Sequence, residues 1–217
     1  MHIHIPDGFL PIWLWVLGYM LMMLFIYIAL TKINEDNPKK IVWASAIAAM
    51  MLVAMSIPLG IPYHLNLTVL AGIILGPWWS LLACFVVNGV LASFGHGGIT
   101  IVGLNTLITW FEALTGLYLY KNLRKMLEKA SITVGISTWT SLTLSALLVI
   151  GLVAVSGVNP ALAMHHETST GQISITTFAF LTLFFALPGA AVEGVITALI
   201  LAYIKRVRPT LFEEEGL

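Results

Sequence analysis

The first two residues carry the densest chemistry in the chain. Met1 offers a free α-amine, His2 its own backbone amide nitrogen, and the His2 imidazole closes a second chelate ring, so three nitrogens can hold one ion. A near-planar nitrogen set suits a metal that accepts square-planar geometry, which among common ions means Cu(II) or Ni(II). The amine titrates near pH ~8 and the imidazole near ~6.5 when unperturbed, and both must be free of protons to coordinate, so binding weakens in acid. A fourth donor has to come from elsewhere.

His64, in the connector GIPYHLNL, is the expected fourth ligand; the competing reading is a polar anchor at the membrane interface. His96 sits in FGHGGITIVGLNTL, where three glycines permit close backbone approach or positive φ and Asn105 follows near the next helix start. His96 could be a further ligand, a partner orienting another imidazole, or a loop residue. His4 lies two residues after His2 and competes for the same ion, and Pro6, Asp7 and Gly8 fit a turn that folds the terminus back on the bundle. Two carboxylates fall inside apolar runs, Glu112 in WFEALTG and Glu193 in GAAVEGV. An ionisable residue at that depth is either a hydrogen-bonded packing element or a part of partner docking or metal passage. His165, His166 and Glu167 form a hydrophilic patch that reads most simply as a solvated loop. Met20, Met22, Met23, Met50, Met51 and Met55 lie within apolar helices and read as packing, as does the single Cys84 in LLACFVV. No HExxH helix, nucleophile elbow or phosphate loop occurs, so ATP hydrolysis is not expected of this chain.

The elements that position these groups must be membrane helices. Of 217 residues, 59% are hydrophobic and 9% charged, against about 25% charged in a soluble domain. Too little charge is available to cover a water-facing surface. The mean hydropathy of +0.97 agrees, and several apolar runs exceed the roughly 18 residues that span a bilayer. Ten Lys and Arg balance ten Asp and Glu, which leaves no basic face for nucleic acid.

Apolar helical segments are expected at 12–32, 41–58, 65–94, 102–120, 132–156 and 174–204. All the basic residues fall in three places: Lys32, Lys39 and Lys40; Lys121, Arg124, Lys125 and Lys129; and Lys205, Arg206 and Arg208. The histidines fall elsewhere, so the two sets should occupy opposite sides, the basic one cytoplasmic. With the N-terminus outside, the segment 65–94 must cross twice or dip and return, or the Lys121–Lys129 loop lands on the wrong side. Gly76-Pro77 is the natural bend, because proline removes a donor and disfavours helix at the residue before it. The expected fold is therefore an all-α integral membrane domain over 1–217, with about seven transmembrane helices. Its third and fourth form a short hairpin broken at Gly76-Pro77, with the N-terminus outside and the C-terminus cytoplasmic. Small residues at helical spacing, such as Ala44 with Ala48, suit internal packing or docking to another membrane subunit.

HIPDGFLP at the start, YHLNLTVLAGIILGP in the centre and the loop GHGGITIVGLN together resemble the nickel/cobalt substrate-binding membrane subunits of energy-coupling-factor transporters, the CbiM/NikM family. The motifs cover the chain through Asn105; beyond it the likeness rests on length and hydropathy. The resemblance implies that Ni(II) or Co(II) is held by Met1, His2 and His64, and that His96 and Asn105 help to shape the pocket. It also implies work alongside a transmembrane coupling subunit and two cytoplasmic ATPases, often with a further small membrane protein. One departure stands out. The family's start reads MHIP followed by an acidic residue and Gly, whereas this chain reads MHIHIPDG. Alignment from Pro6 would give the chelating role to His4, which has no free amine beside it, so the match is anchored at His2.

The expected function is capture of external nickel or cobalt for ATP-driven uptake at the cell membrane, with nickel favoured by the planar nitrogen set. The metal is cargo, and no catalytic cofactor is expected. The alternative is an intramembrane metalloenzyme using the histidines with Glu112 or Glu193 as base.

Overall fold

The computed structural model describes residues 10–33, 38–57, 64–160 and 173–208. Among these residues there is no strand, and six helices follow in order: α1 (Ile12–Lys32), α2 (Pro38–Ser56), α3 (Thr68–Ser93), α4 (Val102–Leu123), α5 (Ala130–Ser156) and α6 (Ile175–Val207), with a 3-10 turn, Ile99–Ile101, leading into α4. All six are long and apolar enough to cross a membrane. The core is largely apolar, and the exterior is apolar as well, unlike that of a water-soluble protein. Apolar side chains such as Trp13, Met20, Leu24 and Phe180 point outward, while Thr68, Asn88, Thr109, Glu112, Ser141 and Glu193 are buried. In hydrocarbon this is the favourable arrangement, since polar side chains find partners only between helices.

The bend expected at Gly76-Pro77 is present. Gly76 has φ 77° and ψ −177°, a conformation open to glycine and to almost nothing else. It divides α3 into arms 68–75 and 77–93. Helical geometry is broken at Gly76, so 68–93 is two helices joined across a kink, and six of the described segments are long and apolar enough to span a membrane.

The first arm of α3 lies along the middle of α4. A Cβ on Gly72 would stand 2.1 Å from the Ala113 carbonyl oxygen, so the two backbones touch directly there and no side chain fits between them. Pro77 O accepts a hydrogen bond from Trp110 Nε1 at 2.7 Å. The second arm follows with Asn88 Nδ2 donating to Thr109 Oγ1 at 3.0 Å, and Ala92 beside Val102.

The two ends of the bundle differ in composition as the basic residues and histidines require. At one end, Leu10 and Leu14 of the α1 entry pack with Ile101, Leu104, Val153 and Phe178, and Tyr19 Oη donates to Ile99 O. His96 lies in the turn beside this cluster. At the other end, Tyr120, Ala130, Val134, Leu201, Lys205 and Arg206 line one groove, and Trp43, Ile47, Ile204 and Arg208 line another. Among the described residues, His64 and His96 thus lie at the opposite end of the bundle from Lys205, Arg206 and Arg208.

Candidate metal-binding site

His64 begins an extended run, 64–67, that feeds α3, and His96 follows the same helix after its last turn. The turn is made by the backbone. His96 N–H donates to Leu91 O at 2.9 Å, and Gly95 and Gly97, with φ 74° and 85°, supply the left-handed steps on either side. The two imidazoles meet edge to face, with ring centroids 5.1 Å apart and planes at 87°. Both residues are half-buried. Two imidazoles at this separation suit an arrangement in which one ring ligates an ion and the other orients it, or in which both reach the same ion. Among the described residues no three His, Cys, Asp or Glu side chains converge as a metal site, so the pair supplies part of a donor set.

Two residues beyond His64 lies a second polar cluster, deeper in the bundle. The Glu112 carboxylate of α4 accepts from Asn66 Nδ2 at 2.7 Å, Thr68 Oγ1 at 2.8 Å and Ser145 Oγ of α5 at 2.6 Å. The Glu193 carboxylate of α6 accepts the backbone N–H of Leu67 at 2.8 Å and that of Asn66 at 3.3 Å. Glu112 and Glu193 are 2% and 0% exposed, so these bonds stand in for water. They also solve a local problem. Leu67, the N-cap of α3, has no side-chain cap bond and sits at φ 55°, which costs a non-glycine residue about 1–2 kcal/mol. The free N–H groups at a helix start need acceptors, and a negative group there is favoured by the helix dipole. Glu193 supplies both from 126 residues away.

The structure thus brings His64 and His96 together and gives Glu112 and Glu193 a shared task. Asn105 is buried near the start of α4, and its carbonyl accepts from Thr109 Oγ1 at 2.9 Å. Met1, His2 and His4 lie outside the described residues, as do His165, His166 and Glu167. Met22, Met51 and Met55 are buried in apolar clusters, in keeping with packing, and Cys84 is buried with them. Sequence reasoning missed Asn66, Thr68 and Ser145. The visible signal was HLNLT, in which polar residues alternate through an apolar run and so mark a non-helical stretch with donors to satisfy.

These features define a polytopic helical membrane protein that carries an imidazole pair at one end and a hydrogen-bonded carboxylate cluster inside. Residues 4–211 match the family described as CbiM, cobalt uptake substrate-specific transmembrane region, and the chain belongs to that family. It is a multi-pass membrane protein and a transport component, not an enzyme. A cobalt transport protein of Clostridium tetani is 30% identical over 217 residues, spanning 94% of this chain and 84% of its own. A fused nickel transport protein of Rhodobacter capsulatus is 27% identical over 226 residues, covering 96% of this chain and 63% of the longer fused one. The fold matches a crystal structure described as a transition metal transporter with a TM-score of 0.80 and 22% identity, covering 94% of this chain and 93% of that one.

Proposed function

We propose that the chain is the substrate-capture subunit of an energy-coupling-factor, ABC-type importer, and that it binds extracellular Ni(II) or Co(II) through Met1, His2 and His64. The observation that carries this reading is the imidazole pair at the end of the bundle where the chain enters α1. Leu10 is buried there against Ile101, and the nine residues ahead of it can span up to about 30 Å, ample to reach His64. An amine, an amide nitrogen and two imidazoles form a planar nitrogen set, which favours nickel over cobalt and disfavours zinc. His96 and Asn105 close the pocket around it. Relatives named for cobalt and for nickel transport support the cargo class.

The N-terminus and the histidines face outward and the C-terminus inward, because the ten basic residues gather at the opposite end. The arms of α3 then act as two membrane segments, the first short, and seven segments result. Energy comes from partners: a transmembrane coupling subunit, two cytoplasmic ATPases and, in some assemblies, a further small membrane protein. Glu112 and Glu193 have no part as catalytic bases, since their carboxylates are engaged by the start of α3.

The test is nickel binding by the full chain in detergent, with intact-mass analysis to verify the first residue. One extra residue ahead of Met1, or His2→Ala, abolishes high-affinity binding while helicity and thermal unfolding stay as in the wild type. Binding that survives both changes puts the site elsewhere.

A further inference from the structure

We infer that Glu112 and Glu193 are positioning residues for the metal site: together they fix the Asn66–Thr68 turn, and through it the backbone from which His64 extends. The inference rests on His64 being a ligand, as proposed above. Four donors of three successive residues go to these two carboxylates: Asn66 N, Leu67 N, Asn66 Nδ2 and Thr68 Oγ1. One carboxylate comes from α4 and the other from α6, and α5 joins through Ser145. The turn is therefore tied to three helices at once, while its own sequence holds it poorly, with a left-handed Leu67 and no local cap.

Packing alone does not call for this arrangement. A carboxylate buried in a membrane bundle is costly and is retained where it serves a specific partner. Apolar side chains could fill the same volume, but they would leave the Asn66 and Leu67 amides without these acceptors at the bend. His64 is separated from Asn66 by Leu65 alone, so few torsions lie between the held turn and the imidazole. A ligand whose backbone wanders presents its nitrogen at the wrong distance and angle, and supporting groups of this kind typically tune metal affinity by about 10–100-fold.

The hydrogen-bond pattern makes the charge dispensable and the acceptor essential. Both Asn66 Nδ2 and Thr68 Oγ1 use the same oxygen of Glu112, Oε2, so a glutamine can offer them its carbonyl and turn its amide toward Ser145 Oγ. The oxygen Oε1 of Glu193 likewise serves both backbone amides.

The experiment uses the full chain in detergent micelles titrated with nickel sulfate, with His64→Ala alongside. Glu112→Ala and Glu193→Ala should each weaken nickel binding at least about tenfold. Both should also speed hydrogen exchange of the peptide spanning 64–70 before any metal is added. Glu112→Gln and Glu193→Gln should bind nickel within about threefold of wild type and keep the slow exchange. A folded alanine variant with unchanged exchange overturns the clamp, and one with fast exchange but wild-type affinity overturns the positioning role. Should the alanine variants fail to fold, Thr68→Val, which removes a single donor, decides the matter: weaker binding with faster exchange supports the inference, and no change in either overturns it. Wild-type binding by His64→Ala defeats the proposed ligand set and the positioning role with it, while the exchange measurement still shows whether the carboxylates hold the turn.

Discussion

The imidazole pair and the carboxylate cluster are separated by Leu65 alone, between His64 and Asn66, and they are held in different ways. His64 and His96 stand half-buried at the end of the bundle, each on a non-helical stretch flanking α3. Glu112 and Glu193 project from the interiors of two long helices and are almost wholly buried. The carboxylates have partners drawn from α5 and the start of α3, whereas the imidazoles meet each other edge to face. The imidazole pair thus sits on irregular backbone at the rim, and that backbone is hydrogen-bonded to regular helices beneath it. That division matches the general cost of irregular chain in a membrane, which is tolerated only where protein or a water-filled cavity surrounds it.

Removing one member of each cluster should cause losses of different kinds. His64→Ala should cost more in nickel affinity than the roughly 10–100-fold expected when a group that only orients a ligand is lost, with thermal unfolding little changed. Alanine at Glu112 or Glu193 should reverse that balance, giving a smaller affinity loss and a clear drop in unfolding temperature, since it strands buried donors at about 1–3 kcal/mol each. Isothermal titration beside a thermal melt reads both. Equal melting temperatures for the three variants would dissolve the distinction between rim and core.

A second contrast comes with pH. The coordinating amine and imidazoles must shed their protons, so nickel affinity should begin to fall, roughly tenfold per unit, as pH drops below about 8, and more steeply below about 6.5, where each imidazole adds its own proton. Exchange protection of residues 64–70 in the metal-free chain measures the clamp independently of the ligands and separates loss of binding from loss of the turn. A flat affinity profile between pH 7.5 and 5.5 would argue against histidine ligation. The smallest expected effect belongs to His96→Ala. If that ring orients His64, its loss costs about tenfold; a loss as large as that of His64→Ala would make it a ligand in its own right.

Much of this architecture was legible before any coordinates. The six helical segments fall within a few residues of their expected bounds, because a run of apolar residues long enough to span a bilayer has little choice of secondary structure. The break at Gly76 was legible too, since a Gly-Pro step inside such a run cannot be regular helix on both sides. The number of membrane crossings was not legible, because it depends on how the two arms of eight and seventeen residues lie against α4 and not on their composition. Glu112 and Glu193 were visible as anomalies of depth, and their common partner was not. Nothing in GAAVEGV says that its carboxylate meets the amide of Leu67, 126 residues earlier.

The sequence by itself determined the medium, the spans, the separation of lysines from histidines and the inventory of donors, all of which follow from the solvation free energy of each residue where it stands in the chain. Only the tertiary structure decided which donors meet. The approach of His64 to His96 and the convergence of two distant glutamates on one turn depend on how far each helix slides and rotates against its neighbours, a quantity set by close backbone contacts such as that of Gly72 with Ala113.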